Sequence, residues 1–207
     1  MGDKLQFGIG INDAGYVVCK TEVILVNGVR KQKKLFKCPY FSRWYNMLMR
    51  CYSENYQKKN QTYVGCTVCN EWLVFSKFRA WMEGQDWEGK ELDKDILVKG
   101  NKLYSPQTCV FVSPNVNKLL VDSGGKRGVY PIGVSFHKSE QAIRATCLDG
   151  ARKQAHLGYF KTPEEAHEAW RKYKHALACK IADEQTDERV AEALRKRYSK
   201  EKWYENK

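Results

Sequence analysis

Cysteine is the residue type in this sequence with the widest range of chemistry, and its spacing gives one motif. The chain has 8 cysteines, and Cys66-Thr-Val-Cys69 has the C-x-x-C spacing of a zinc knuckle. No second C-x-x-C is present and no histidine precedes His137. A zinc site would therefore need Cys38 and Cys51 as two further single ligands. Zinc on Cys38, Cys51, Cys66 and Cys69 remains an alternative, and buried reduced thiols are the favoured interpretation.

The cysteines and the N-terminal sequence also predict the cellular compartment of the protein. The chain is longer than the usual disulfide scaffold, and MGDKLQFGIG lacks a basic segment followed by an apolar one. We therefore expect a reduced, intracellular protein. No run approaches the ~18 apolar residues of a membrane span, so no membrane partner is expected.

The charge of the chain excludes one class of protein and favours another. The sequence has 36 Lys+Arg against 24 Asp+Glu, which gives a net charge of +12 and excludes an acidic DNA mimic. The composition is 43% hydrophobic and 13% aromatic, which is enough to bury a core. Such a chain favours a polyanion partner, most often nucleic acid, over a small-molecule substrate. The alternative is a cationic protein with no such partner, and nothing indicates the oligomeric state.

The first half of the chain is predicted to position these residues with a hairpin and two helices. Short β segments are predicted over 5–37, with Asn27-Gly28 as a hairpin turn. The basic cluster after the turn is predicted as a solvated loop able to contact phosphate: Arg30, Lys31, Lys33, Lys34 and Lys37. Helices are predicted over 39–52 and over 70–82, where Asn70 would be the cap, with a loop over 53–64 between them.

The second half predicts an α+β fold. Strands over 92–97 and 108–112 precede a helix capped by Ser113, an order that outlines a ββα-metal unit within a module of residues 1–122. A small, basic linker follows at 123–127. Three short strands, 132–137, 142–148 and 154–160, then lead to a helix with a capping box at Thr162 and Glu165. This predicts a three-stranded antiparallel sheet packed on one helix over 128–182, and a charged helical tail over 183–207.

The middle of the chain carries a spaced set of residues. They run Trp44-x-x-Met47-Leu48-x-Arg50-Cys51-Tyr52, Val68-Cys69-x-Glu71-Trp72-x-x-Phe75-x-x-Phe78, Leu92-Asp93-Lys94-Asp95 and Tyr104-Ser105-Pro106-x-Thr108-Cys109. With this set, the stretch 44–117 resembles the HNH-like endonucleases common in phage genomes. The resemblance implies Mg²⁺ or Mn²⁺ held by Asp93 on the first strand and Asn117 on the helix, as oxygen donors suited to a hydrated cation.

The same comparison implies a degenerate catalytic site. Lys94 stands where the family has its general-base histidine, and Thr108 stands where it has the orienting asparagine. A lysine beside a metal is normally protonated, so Lys94 could contact phosphate or stabilise the transition-state charge. Asp95 or a metal-bound hydroxide could serve as base. If the strand alternates, Asp93 and Asp95 share one side and Lys94 faces the other, which favours the aspartate pair.

The C-terminal part carries a second set of residues. It consists of Gly133-Val134-Ser135-Phe136, Ile143-Arg144-Ala145, His156-Leu157-Gly158-Tyr159-Phe160 and Thr162-x-Glu164-Glu165-Ala166-x-x-Ala169. This part looks like the plant ethylene-response-factor (Apetala-type) DNA-binding domain, which lays its sheet in the DNA major groove. Alternation and the turns then give a DNA-facing set: Lys126, Arg127, Ser135, His137, Lys138, Arg144, Thr146, Arg152, Lys153, Gln154 and His156. His156 and Ser135 differ from the family's Trp and Arg, so the target sequence does not carry over.

Together the two resemblances imply a phage-type, DNA-binding HNH-like endonuclease. It would cleave duplex DNA with a divalent metal, as a homing enzyme in the cytoplasm of an infected bacterial host. The alternatives are a catalytically inactive DNA-binding regulator or phage–host interaction factor that keeps the HNH-like fold, and a small αβ protein-binding module.

Overall fold

The chain folds into two compact units, Met1–Val112 and Ser113–Lys207, called unit 1 and unit 2 below. The computed structural model describes residues 5–120, 128–149 and 153–200. Helices and small sheets coexist in each unit, which confirms the α+β class. The division falls before the helix that follows Ser113, whereas the sequence placed it at 123–127, a segment outside the described residues. None of the described helices combines the length and apolar character needed to cross a membrane.

Unit 1 begins with a hairpin of strands β1 (Cys19–Val26) and β2 (Val29–Lys37). Its turn is Asn27-Gly28, with φ of 53° and 75°, the left-handed conformation that a two-residue hairpin turn requires. The basic cluster predicted as a loop instead forms β2, because it pairs residue by residue with β1. The N–H of Cys38 donates to the carbonyl of Val18 at 2.8 Å, so the chain enters and leaves the hairpin at one point.

Helices follow the hairpin. Helix α1 (Pro39–Tyr52) has the predicted bounds. The predicted loop 53–64 contains helix α2 (Glu54–Lys59), which was missed because it buries no residue and depends on its Ser53 cap, and a 3₁₀ turn at Gln61–Tyr63.

The second predicted helix, over 70–82, is two elements. A 3₁₀ turn, Asn70–Leu73, precedes helix α3 (Phe75–Glu83), and neither has a side-chain cap, so the predicted Asn70 cap is wrong. The break at Val74 arises because Ile11 inserts there. Its N–H donates to the carbonyl of Leu73 at 2.8 Å, and its carbonyl accepts from the N–H of Phe75 at 3.0 Å.

The aromatic side chains of these helices form the core of unit 1. Trp44, Trp72, Phe75 and Phe78 are buried in one apolar cluster. The indole Nε1 of Trp44 donates to the carbonyl of Trp72 at 2.7 Å, so the buried donor is satisfied. These rings support the fold and offer no stacking surface.

Two small strand pairs complete unit 1. Strand β3 (Thr67–Val68) pairs in parallel with β5 (Leu103–Tyr104), and β4 (Glu91–Asp93) pairs antiparallel with β6 (Val110–Val112). The strands predicted over 92–97 and 108–112 are both shorter in the structure. The first ends at Asp93 because its Oδ1 accepts the N–H groups of Asp95 and Ile96, each at 2.7 Å, which turns the chain.

Unit 2 begins with helix α4 (Pro114–Leu120), capped as predicted by the Ser113 hydroxyl, which accepts from Val116 N–H at 3.3 Å. Strands β7 (Val134–His137), β8 (Ala142–Leu148) and β9 (Gln154–Phe160) form an antiparallel sheet in that order. Helix α5 (Pro163–Ala182) starts with the predicted capping box, and helix α6 (Glu188–Arg197) lies in the predicted tail.

Helix α5 covers one face of the sheet. Ala145 and Cys147 of β8 are buried on that side together with Trp170 of α5. Gly133 has φ of +80°, and a Cβ added there would lie 2.0 Å from Trp170 Cδ1. The predicted sheet packed on one helix is therefore confirmed, and the sheet's other face carries the polar set.

Candidate functional site

The acidic turn after β4 holds the first predicted site residue, Asp93. Its carboxyl is half-buried, and burial raises its pKa above the usual value, against the effect of the two N–H donors on Oδ1. Oδ2 accepts no hydrogen bond from the residues that the structure describes. Asp93 therefore offers one carboxylate oxygen at the end of β4.

Lys94 and Asp95 do not occupy the positions that strand alternation predicts. Because β4 ends at Asp93, alternation does not extend past it, and Lys94 turns inward to meet Asp95. Its Nζ donates to Asp95 Oδ2 and to the carbonyl of Asn101, both at 2.7 Å, and lies 5.9 Å from the Tyr104 ring centroid. Only 6% of the Lys94 side chain is exposed. The ammonium closes the 94–101 turn and is not presented to a phosphate.

Thr108 is engaged in a similar way. Its hydroxyl donates to the carbonyl of Leu103 at 2.8 Å and lies 2.9 Å from Ser105 Oγ. The residue precedes β6 and is part of the loop, so it holds the connection between β5 and β6.

The predicted metal pair falls in two units. Asp93 belongs to unit 1, whereas Asn117 is a half-buried residue of α4 in unit 2. In unit 1, the Asp95 carboxylate is taken by Lys94, which leaves Asp93 as the available ligand at this turn. Across residues 5–120, 128–149 and 153–200, no group of three or more His, Cys, Asp or Glu side chains is placed to hold a metal ion. The residues of this turn alone do not fit a divalent metal.

The cysteines are free thiols. Cys38, Cys51 and Cys66 are buried, and Cys69 is half-buried. Burial raises the pKa of the Cys51 thiol to about 12 and also raises that of Cys69. Zinc binds the thiolate, so these surroundings oppose the form that a ligand must adopt.

The outward face of the β7–β8–β9 sheet brings together most of the residues predicted to contact DNA. Ser135 lies opposite Arg144, whose Nη2 donates to the serine hydroxyl at 3.4 Å. Thr146 lies opposite His156, and its hydroxyl accepts from Gln154 Nε2 at 3.1 Å. Arg144 Nε is buried and has no hydrogen-bond partner among the described residues. Such a donor is costly to leave unpaired, and it has no accessible surface, so pairing it with an outside acceptor requires the Arg144 side chain to move.

A β-bulge adds an aromatic residue to this face. Ala145 pairs with Gly158 whereas Thr146 pairs with His156, so Leu157 is an extra residue in β9. The shift in alternation puts Tyr159 beside two predicted residues, with ring centroids 4.8 Å from His156 and 5.5 Å from His137. Strict alternation had missed Tyr159. A glycine inside a strand pattern, Gly158 with φ of 126°, was the feature that could have revealed the bulge.

Two more of the predicted DNA contacts lie beside the strands of this sheet. Lys138 and Lys153 are exposed. Lys126, Arg127 and Arg152 lie outside the described residues.

The basic hairpin of β1 and β2 is a second positive surface. Its strand β2 carries the five predicted cations, and Lys33 has an ion pair with Glu22 at 3.5 Å. Burial lowers the pKa of Lys37, and the neighbouring charge of Lys34 acts in the same direction. The hairpin's positive charge is therefore poorly compensated from within, and it suits a polyanion.

Comparisons with protein-family models, with curated proteins and with solved structures give no match to this chain.

Proposed function

We propose that this protein binds duplex DNA through the outward face of the β7–β8–β9 sheet. The observation that carries the proposal is Arg144, a half-buried cation at the centre of that face whose Nε lacks a partner among the described residues. A base edge and a phosphate are both acceptors that an arginine contacts with paired N–H groups, once the side chain moves to expose Nε. The resemblance of residues 128–182 to Apetala-type domains supports the same face.

The neighbours of Arg144 suit this role. Ser135, Thr146 and Gln154 are short or planar polar groups that can donate to or accept from base edges. His137, His156 and Tyr159 add rings beside them. The basic hairpin and the net charge of +12 supply attraction that does not depend on DNA sequence.

Duplex binding is measured by fluorescence anisotropy of a labelled duplex over a range of salt concentrations. Arg144→Gln removes one charge and the central donors, and is expected to weaken binding about tenfold to a hundredfold. Lys172→Gln is the matched control, since it removes one exposed charge from α5. We expect less than about a threefold change in that variant. If the two variants weaken binding equally, general charge and not the sheet face accounts for the affinity.

The salt series also tests the alternative of a protein-binding module. Contacts with phosphates make affinity fall as salt rises. An affinity for duplex that does not fall as salt rises would count against contacts with phosphates. In the phage-type role that both resemblances imply, the protein would act in the cytoplasm of an infected bacterial host.

DNA cleavage is the second candidate function, with a homing role as its biological setting. The order β4, β6, α4 is that of a ββα unit, and Asp93 ends its first strand, as the HNH resemblance implies. Against it stand the missing base histidine and the engaged Lys94, Asp95 and Thr108. The alternative is a regulator or phage–host interaction factor that binds DNA without cutting it.

A supercoiled plasmid incubated with Mg²⁺ or Mn²⁺ separates these candidates. Asp93→Asn keeps an oxygen that can accept the Asp95 and Ile96 N–H groups, so it removes the charge and preserves the turn. Asp86→Asn, in an exposed ion pair with Lys90, is the control. Cleavage that Asp93→Asn abolishes and Asp86→Asn retains supports the nuclease. Absence of cleavage by the wild type, with duplex binding intact, favours the non-catalytic regulator.

A further inference from the structure

Unit 2 contains a pocket between its helices and its sheet, and Thr146 and Gln154 of the DNA-facing set line part of it. Its volume is about 530 Å³, within the range of small-molecule sites. Helices α4 and α5 and strand β8 provide its apolar lining: Leu119, Cys147, Leu148, Trp170, Leu177 and Ile181.

A mostly buried cation lies within this apolar lining. Lys174 of α5 lines the pocket and is only 9% exposed. Its ammonium has no hydrogen-bond acceptor and no ion-pair partner among the described residues, and its Nζ lies 6.0 Å from the Tyr198 ring centroid. Burial lowers the pKa of Lys174, with only the neighbouring Cys147 acting in the opposite direction.

This arrangement is costly for the empty protein. An ammonium on a side chain that is mostly buried and has no acceptor loses part of its hydration and gains little in return. The other charged residues of the lining do not relieve it. Lys118 has the same sign, and Asp149 accepts the Lys153 N–H at 2.7 Å at the strand end. The missing partner is therefore an anion that reaches Lys174 through apolar surroundings.

We propose that this pocket binds a small amphipathic anion, with an apolar body against Trp170, Leu177 and Ile181 and a carboxylate on the Lys174 ammonium. The carboxylate forms a charge-assisted hydrogen bond in a site of low polarity, where such bonds are strong. Thr146 and Gln154 of the DNA-facing set also line the pocket, but Lys174 is not among the residues assigned to DNA, so a test of Lys174 is independent of the DNA-binding proposal.

Octanoate and 1-octanol are the matched probes, because they share a chain and differ in charge. Titration calorimetry on the full chain at pH 7 is expected to give about tenfold to hundredfold tighter binding of octanoate. Lys174→Met keeps the apolar stem and is expected to abolish that preference while octanol still binds. Lys172→Met, exposed on the same helix, is expected to retain it. Equal affinities in the wild type, a preference that survives in Lys174→Met, or no binding of either probe would overturn the proposal.

A measurement on the wild-type protein covers the case in which Lys174→Met does not fold. The Cε–Hε resonance of Lys174, assigned with Lys174→Arg, is followed by ¹³C NMR across a pH titration. Octanoate is expected to raise the pKa of Lys174, because the bound carboxylate favours the charged amine. An unchanged pKa in saturating octanoate would show that the carboxylate does not contact Lys174.

Discussion

Replacing Lys94 with methionine tests whether this lysine is structural or contacts DNA. The HNH resemblance allows Lys94 a role at phosphate, whereas the structure gives its ammonium to Asp95 and to the carbonyl of Asn101. Methionine is unbranched and apolar, so Lys94→Met preserves packing in the buried region and removes those two bonds. The structural role predicts a loss of stability without a loss of DNA affinity.

The size of the effect follows from the surroundings of each partner. The Asn101 carbonyl loses a charged donor, which costs about 1–3 kcal/mol. The Asp95 side chain is 43% exposed, so its carboxylate regains water and contributes about 0–1 kcal/mol. Burying the charged ammonium is itself unfavourable, and methionine removes that desolvation cost, which offsets part of the destabilisation. We expect Lys94→Met to lower the free energy of unfolding by about 1–3 kcal/mol.

Urea unfolding followed by tryptophan fluorescence measures this change, because Trp44, Trp72, Trp81 and Trp87 belong to unit 1. Lys90→Met is the control, since its partner Asp86 is 74% exposed, and it should cost less than about 1 kcal/mol. DNA affinity of Lys94→Met should stay within about threefold of wild type. A variant of unchanged stability with a DNA salt dependence reduced by about one ion would refute the structural role.

Three further predictions concern the fold and the sheet face. Gly133→Ala should destabilise unit 2 by about 2–5 kcal/mol, because the residue has a positive φ and an added Cβ would collide with Trp170. Gly128→Ala is the control, since its Cβ would meet open space, and it should be nearly neutral. Thermal melts followed by near-ultraviolet circular dichroism measure both changes. Burial raises the pKa of Asp93 in the folded state, so the wild type loses stability as pH rises from 3.8 through that pKa, whereas Asp93→Asn does not. The free energy of unfolding of Asp93→Asn should therefore rise relative to wild type over this range. A difference between the two proteins that stays constant from pH 3 to 7 in urea titrations would contradict this. Tyr159→Leu should weaken duplex binding about fivefold to tenfold in the anisotropy assay, because the bulge places Tyr159 on the outward face beside His137. Phe136→Leu, on the opposite face of the sheet, should leave binding unchanged. Equal losses in the two variants would count against a DNA contact by Tyr159.

Local sequence chemistry predicted the elements whose boundaries are set by a few adjacent residues. Asn27-Gly28 fixes the hairpin turn because its backbone is left-handed, and Thr162 with Glu165 fixes the start of α5 by reciprocal hydrogen bonds. Helix α1 was predicted to the residue because its buried side chains recur at helical spacing.

Features that depend on distant partners were not predictable in this way. The break at Val74 needs Ile11, which lies far away in sequence. Lys94 points inward because its ammonium donates to the carbonyl of Asn101. Strand β4 ends at Asp93 because its side chain accepts the N–H of Asp95. The candidate sheet face was predicted for six described strand positions, and Tyr159 was missed because a single extra residue inverts the alternation beyond it.

The hydrogen bond between Cys38 N–H and the Val18 carbonyl joins the two ends of the basic hairpin, which therefore forms an arm with a single point of attachment. Because the chain departs from and returns to one point, the hairpin is topologically an insertion whose length and charge can vary while its anchor stays fixed. The basic residues of the arm and the residues of the core therefore lie in separate stretches of sequence. The length and charge of the arm can therefore change without changing the residues of the core.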